Sequence, residues 1–291
     1  MNRIPKTLIA MMLAMTIVMA ACTHQKTVDS IIYNVTIVDV ADGSLLQGQA
    51  VVVEDGKISS LINAAGLDNF SSDQVINGKG GYLIPALADA HVHIQSRSEL
   101  LSYIRHGVGL VINMSGSPLH LQMREEVNSH SLPGPDIVTV GPTLDGEDPT
   151  NPLFTSVSPE TASDLVAWIK NQGYDAVKVY QQMDAATLEA VIEAGDDQGL
   201  IVTGHVSREI GIEGVIATGL KFVAHGEEIT FEAFDETSRA YDQAAIPALV
   251  NQLVEANVTV TPMIDYLETI PPQVVGLSEF LDSPAMQYLP V

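Results

Sequence analysis

From residue 82 onward, short β-branched runs alternate with stretches of helical period, and this alternation restricts the fold more than any other feature. Strands are expected at 87–94, 109–114, 136–140, 176–180, 201–205, 222–225 and 258–263. Helices are expected between them at 98–105, 118–128, 159–172, 185–198, 210–218 and 240–256. Strand, helix and strand in regular succession join parallel neighbours through crossover helices. The local punctuation agrees: Ser158 suits an N-cap, Pro159-Glu160 a first helical turn and Gly173 a helix end. A closed barrel of this kind needs an eighth strand. After Met263 nothing up to Val291 reads as one, and Ser283-Pro284 reads as a helix start. The expected fold is α/β: over residues 81–291, a (β/α)8-type TIM barrel lacking its eighth βα unit.

Residues 31–80 carry a different pattern and are expected to form a small N-terminal β-sandwich domain. Residues 32–40 alternate and are β-rich, 48–54 form a second run, and Asp55-Gly56 is a strong hairpin signal leading into 57–62. Residues 75–78 make a further short strand.

The chain has 291 residues and is 46% hydrophobic, enough to bury a sizeable core. Only 17% of residues are charged, yet the formal net charge is −23. Such an excess of carboxylates argues against nucleic acid or an anionic membrane surface as a partner. At the N-terminus, Arg3 and Lys6 precede an apolar stretch at 8–20 that is short for a bilayer span. The following Met19-Ala20-Ala21-Cys22 resembles a bacterial lipoprotein signal. The resemblance implies a signal peptide over 1–22, lipidation of Cys22, and a polar tether over 23–30. It further implies export and a lipid anchor in the bacterial envelope, facing the periplasm, with Thr23 pointing to the outer membrane. Cys22 is the only cysteine, so no intramolecular disulfide forms, and a transition-metal site would have to use His, carboxylate or modified Lys.

His91-Val92-His93 closes the apolar run that starts at Gly81. Residues two apart on a strand face the same way, so both imidazoles can reach one ion. Lys178, His205 and His225 each end a later β-branched run. Taken singly, each has a plainer reading: a chance His-x-His, a lysine that snorkels to the surface, a histidine packed in a core. Their coincidence at the ends of strands one, four, five and six, where a β/α barrel puts its chemistry, points to a site. His24, His106, His120 and His130 fall elsewhere and read as tether, helix, loop or surface. Glu227 and Glu228 follow His225 closely and either stand behind the ligands, face substrate or lie in a solvated loop, and the last is the simpler reading. Tyr180, two residues past Lys178, either contacts substrate or packs.

The run Gly81-Tyr82-Leu83-Ile84-Pro85-Ala86-Leu87-Ala88-Asp89-Ala90-His91-Val92-His93, with the preceding hairpin and Gly107–Met114 as strand two, resembles the amidohydrolase superfamily, near its imidazolonepropionase-like and prolidase-like members. Ala86 and Ala88 stand where Gly and Ile are commoner. The resemblance implies that His91 and His93 hold one metal, that Lys178 is carboxylated and bridges to a second, and that His205 and His225 bind that second ion. Ligands of nitrogen and oxygen alone suit two zinc ions. The implied activity is hydrolysis of carbon–nitrogen bonds in a small amide, cyclic amide or dipeptide by metal-activated hydroxide. The family also carries an Asp after strand eight that serves as general base. No matching segment exists here: Asp265 follows strand seven, and Asp282 precedes Ser283-Pro284. The expectation is therefore a metal-dependent hydrolase impaired in this chain. The alternative is an inactive lipoprotein that only binds metal or ligand. Oligomeric state is not legible in the sequence.

Overall fold

The computed structural model describes residues 25–291 apart from 148, 150, 236, 237, 239, 285 and 287–291. The expected signal segment, with Cys22, lies outside the described residues. The chain divides into two compact units, Met1–Pro85 and Ala86–Val291.

In the first unit, β1 (Lys26–Thr27) pairs in parallel with β5 (Phe70–Ser71). A four-stranded sheet is formed by β2 (Ser30–Val38), β3 (Leu45–Glu54), β4 (Lys57–Asn63) and β6 (Val75–Leu83), in the order β4-β3-β2-β6. The β3–β4 hairpin pairs Glu54 with Lys57. Its two turn residues, Asp55 and Gly56, have φ of 52° and 70°, as a type I′ turn demands. Val28, Ile31 and Val52 form the buried centre of this unit. The segment expected as a tether thus contributes a short strand and a core residue. The domain expected as a sandwich consists, among the described residues, of this sheet and the β1–β5 pair.

The second unit is a mixed α/β assembly of parallel sheets. β7 (Leu87–Val92), β8 (Val108–Asn113) and β9 (Asp136–Thr139) pair in parallel. A bridge between Val140 and Ala176 continues the run to β12 (Ala176–Val179). It proceeds through β13 (Ile201–Gly204), β14 (Phe222–Val223) and β17 (Thr259–Val260), all parallel. Two-residue strands β10 (Leu144–Asp145) and β11 (Thr155–Ser156) add to the β12 side. The helices are α1 (Arg97–Arg105), α2 (Pro118–Asn128), α3 (Pro159–Gln172), α4 (Ala185–Gln198), α5 (Gly211–Thr218), α6 (Glu227–Glu232), α7 (Ile246–Glu255), α8 (Ile264–Val275) and α9 (Leu277–Leu281). This is a distorted barrel-like β/α arrangement. Among the described residues no strand follows β17.

The helices form where their apolar faces and caps dictate. On α3, Ala162, Val166 and Ile169 are buried at helical spacing. The Ser158 amide donates to Thr161 Oγ1 at 3.0 Å, Pro159 opens the helix, and Gly173 ends it in the left-handed conformation. The main core packs α3 and α4 residues such as Val166 and Val191 against Val177, Val179 and Val202 of the strands. One expectation needs correction. The helix anticipated at 240–256 begins only at Ile246, because Pro247 lacks the amide proton an interior position needs and fits the first turn. Ahead of it, β15 (Phe234–Asp235) and β16 (Ala240–Tyr241) pair as an antiparallel hairpin. At the other end, α9 closes at Leu281 with Asp282 as its cap, and Ser283-Pro284 then opens a short 3-10 turn as expected, the Met286 amide donating to Ser283 O at 3.0 Å.

Gly204 sets the spacing of β12 and β13. A Cβ there would overlap the Val179 carbonyl oxygen. Gly204→Ala is therefore expected to push the two strands apart and destabilise the fold by about 1–3 kcal/mol, read as a lowered midpoint in urea unfolding. An unchanged midpoint would mean that the strands do not pack this closely.

Candidate metal centre

The C-terminal ends of β7, β12, β13 and β14 open onto one cavity of about 480 Å³. Its lining includes His91, His93, Lys178, His205 and His225. Ladder bonds hold the strand ends in step: the His205 amide donates to Val179 O at 3.2 Å, and the Ala224 amide to Gly204 O at 2.8 Å. The segment carrying His93 is pinned from below. Buried Asn113 accepts from the Ile94 amide at 3.1 Å and donates to Ser115 O and Thr139 Oγ1, each at 3.0 Å.

His91 Nδ1 lies 3.1 Å from the Ala224 carbonyl. A carbonyl only accepts, so Nδ1 carries the proton and Nε2 presents a lone pair. That Nε2 is 3.2 Å from Nε2 of His93. The His205 ring centroid is 4.2 Å from that of His225 and 4.2 Å from that of Tyr180. His205 Nδ1 is 2.7 Å from Oε1 of Glu228. Lys178 Nζ and His225 Nδ1 are buried with no hydrogen-bond partner. Among the described residues, no three His, Cys, Asp or Glu side chains converge tightly enough to hold an ion by themselves. The four rings form one contiguous cluster, with the His91 centroid 5.2 Å from that of His93 and 4.6 Å from that of His225, and the fifth donor is a lysine.

Burial dominates the electrostatics. It lowers the Lys178 ammonium to about 7, against a partial restoring effect of Glu228. Burial, then repulsion from Lys178, lowers His91 to about 2 and His205 to about 3. Burial followed by repulsion from His205 and Lys178 takes His225 to about 3. His93 is lowered by burial and then by Lys178, although the outer part of its residue is open to solvent. Glu228 is raised to about 7 by burial, opposed by Arg208 and Lys178. The cluster thus disfavours protons and offers bare nitrogens.

No protein-family profile matches the chain. It is 36% identical over 72 residues to adenine deaminase 2 of Latilactobacillus sakei, covering 25% of this chain and 11% of the deaminase. Other adenine deaminases match over as much as 71% of the chain at 24% identity. The chain spans only 11% to 36% of the length of these curated relatives. Among solved structures, it superposes on a Xaa-Pro dipeptidase with bound methionine at a TM-score of 0.64 and 20% identity, covering 87% of this chain and 70% of that one. It also superposes on an amidohydrolase at a TM-score of 0.59 and 15% identity, covering 79% of this chain and 76% of that one. At these identities the solved structures show a shared fold, and the sequence similarity to the adenine deaminases is weak and partial.

The structure brings together His91, His93, Lys178, His205 and His225 on this cavity. For Glu228 the preferred sequence reading, a solvated loop, is the wrong one. Glu228 is instead fully buried against His205 in the first turn of α6. Nothing in its local sequence distinguishes it from its neighbour Glu227, which lines the cavity with its carboxylate 4.0 Å from His225 Nδ1. His120 lies on α2, one of the places its sequence reading allowed. It is buried, accepts from the Ser117 amide through Nδ1, and donates from Nε2 to Ile94 O at 2.8 Å. Asp265 and Asp282 are exposed and do not line the cavity.

These shifts fix a stability profile for the metal-free protein. Histidines depressed on folding are protonated first in the unfolded chain, so stability falls as pH drops below 6.5 towards 3. Glu228, raised from 4.5 to about 7, works in the opposite direction between those values, one group against three. The denaturation midpoint is expected to fall across this range, and His225→Asn to make the slope shallower. A midpoint that rises on acidification would contradict this arrangement of buried imidazoles.

Proposed function

We propose that the chain is a metal-dependent hydrolase of carbon–nitrogen bonds in small molecules. The observation that carries this reading is the convergence of four histidines and the unpartnered Lys178 Nζ on one cavity. The donor set fits divalent cations. Two nitrogens on one tetrahedral zinc at roughly 2.0–2.1 Å stand about 3.3 Å apart, and Nε2 of His91 and His93 are 3.2 Å apart. His91 and His93 would hold one ion and His205 and His225 the second. Each pair lacks a third protein ligand from the usual acidic or histidine set, which is the gap a modified lysine would fill.

Lys178 is suited to that task. Its amine is neutral in a large fraction of molecules near pH 7. A neutral amine adds carbon dioxide, forming a nitrogen–carbon bond and releasing one proton, and the resulting carbamate has oxygens for two cations. Bound divalent cations would lower the pKa of water and polarise the scissile carbonyl.

The rest of the cavity supports a class of substrate. Met114, Phe154, Tyr180, Met263 and Tyr266 form a largely apolar, aromatic wall, with Glu227 as the acidic side chain beside it. Such a surface suits a flat or apolar group bearing an N–H donor. Acylated amino acids and dipeptides meet this description, as does a purine amine. The dipeptidase and adenine deaminases to which the chain is similar support both. Proton transfer to the leaving amine needs a carboxylate. Among the described residues, Glu227 is the carboxylate lining this cavity. The second reading is a chain that only binds metal or ligand, without turnover.

Two measurements separate these readings. Zinc titration of the full chain is expected to load up to two ions, with Lys178→Ala reducing the number retained after dialysis. The carbamate is expected as a 13C signal in protein equilibrated with labelled bicarbonate, fading as pH falls through about 7, where Lys178 becomes protonated. Hydrolysis of N-acyl amino acids, dipeptides or adenine that stops on chelation supports the hydrolase. Zinc uptake without any turnover leaves the binding-only reading. Failure to bind zinc or a related divalent ion overturns both.

A further inference from the structure

We propose that Glu228 is the positioning residue of the centre: it takes the Nδ1 proton of His205 in a hydrogen bond and commits the Nε2 lone pair of that ring to the cavity. The proposal rests on reading the cavity as a metal centre.

Glu228 is 1% exposed, and a carboxylate is rarely this deep without a specific partner. Its Oε1 lies 2.7 Å from His205 Nδ1. Its Oε2 makes no hydrogen bond and faces the Arg208 guanidinium at 3.4 Å. Arg208 is held in turn 4.0 Å over the Phe231 ring. The carboxylate is therefore clamped between a ring and a guanidinium, with little freedom to turn away. The two nitrogens of an imidazole point in different directions, and a hydrogen bond at one selects the state of the other. With Nδ1 donating to Glu228, Nε2 has no proton and can serve only as an acceptor or ligand.

The same solution occurs elsewhere in the cluster by other means. His91 is held through Nδ1 by the Ala224 carbonyl, leaving its Nε2 bare. Ala224 and Glu228 flank His225, one residue before it and three after. One short segment after β14 thus supplies a ring to the cavity and orients the rings that arrive from β7 and β13. Such outer partners raise the basicity of a ligating ring and fix its angle.

The test is a long-range 1H–15N correlation spectrum of the metal-free full chain, followed by zinc titration. In the unaltered protein, His205 is expected with Nδ1 protonated and Nε2 bare. Glu228→Gln keeps the volume but can donate as well as accept, and is expected to mix or invert the His205 tautomer. Zinc affinity is expected to fall about 10–100-fold in that variant. The His91 tautomer, set by a backbone carbonyl, should not change and reports that the variant is folded. If Glu228→Gln does not fold, Glu228→Asp keeps the charge but withdraws the oxygens, and the same loss of a single tautomer is expected. An Nε2-protonated His205 in the unaltered protein overturns the proposal, as does an unchanged tautomer or unchanged zinc affinity in the variants. A tautomer that shifts in a protein binding no zinc leaves Glu228 as the orienting group and removes the metal centre instead.

Discussion

The rest of this structure depends on what surrounds Lys178. Placing an ammonium in a nearly dry site beside four imidazoles is unfavourable, because burial and like charge both oppose protonation. The fold does not relieve this by routing the lysine to solvent. Val177 and Val179 are buried on either side of it, and its Nζ has no hydrogen-bond partner. A four-carbon chain usually finds water from such a position. That it does not reflects the strand itself, which is covered on both faces as parallel strands in α/β proteins are. Burial there lowers the Lys178 ammonium from its ordinary value to about 7.

That arrangement comes from backbone spacing more than from side-chain contacts. Lys178 stands opposite Thr203, and Val179 opposite Gly204, so the first residue beyond β13 is His205. The pairing is tightest at Gly204, where the missing side chain leaves room for the Val179 carbonyl. β14 follows in step, with Thr203 opposite Phe222 and Gly204 opposite Val223, which sets His225 two residues beyond the ladder. A one-residue slip in any pair would turn a ring from the cavity into the helical layer.

The strands and ligand-type residues were legible because they follow periodic or end-of-run rules that one sequence displays. His91 closes an apolar run, Lys178, His205 and His225 end β-branched ones, and the helix at Pro159–Gln172 carries its caps in plain view. Glu228 and His120 were not legible, because their roles are set by residues far away in the chain. Glu228 is buried by His205, 23 positions earlier, and His120 by Ile94, 26 positions earlier. The β15–β16 hairpin is similar: each strand has two residues, too few to show alternation. Local pattern identifies the residues that face the cavity, and only the fold identifies those that hold them.

The holding residues also explain how four neutral imidazoles can share a small volume. Neutral rings still repel where two lone pairs meet, and His91 and His93 bring their Nε2 atoms within hydrogen-bond distance. His91 cannot settle this by moving its proton, since Ala224 keeps it on Nδ1. His93 must either donate from Nε2 or share a cation with His91. His93 is the exposed ring of the four. The deeper rings of His91 and His205 are fixed by a carbonyl and a carboxylate. On the proposed reading as a metal centre, this arrangement is preorganised on its inner side and adaptable at its mouth.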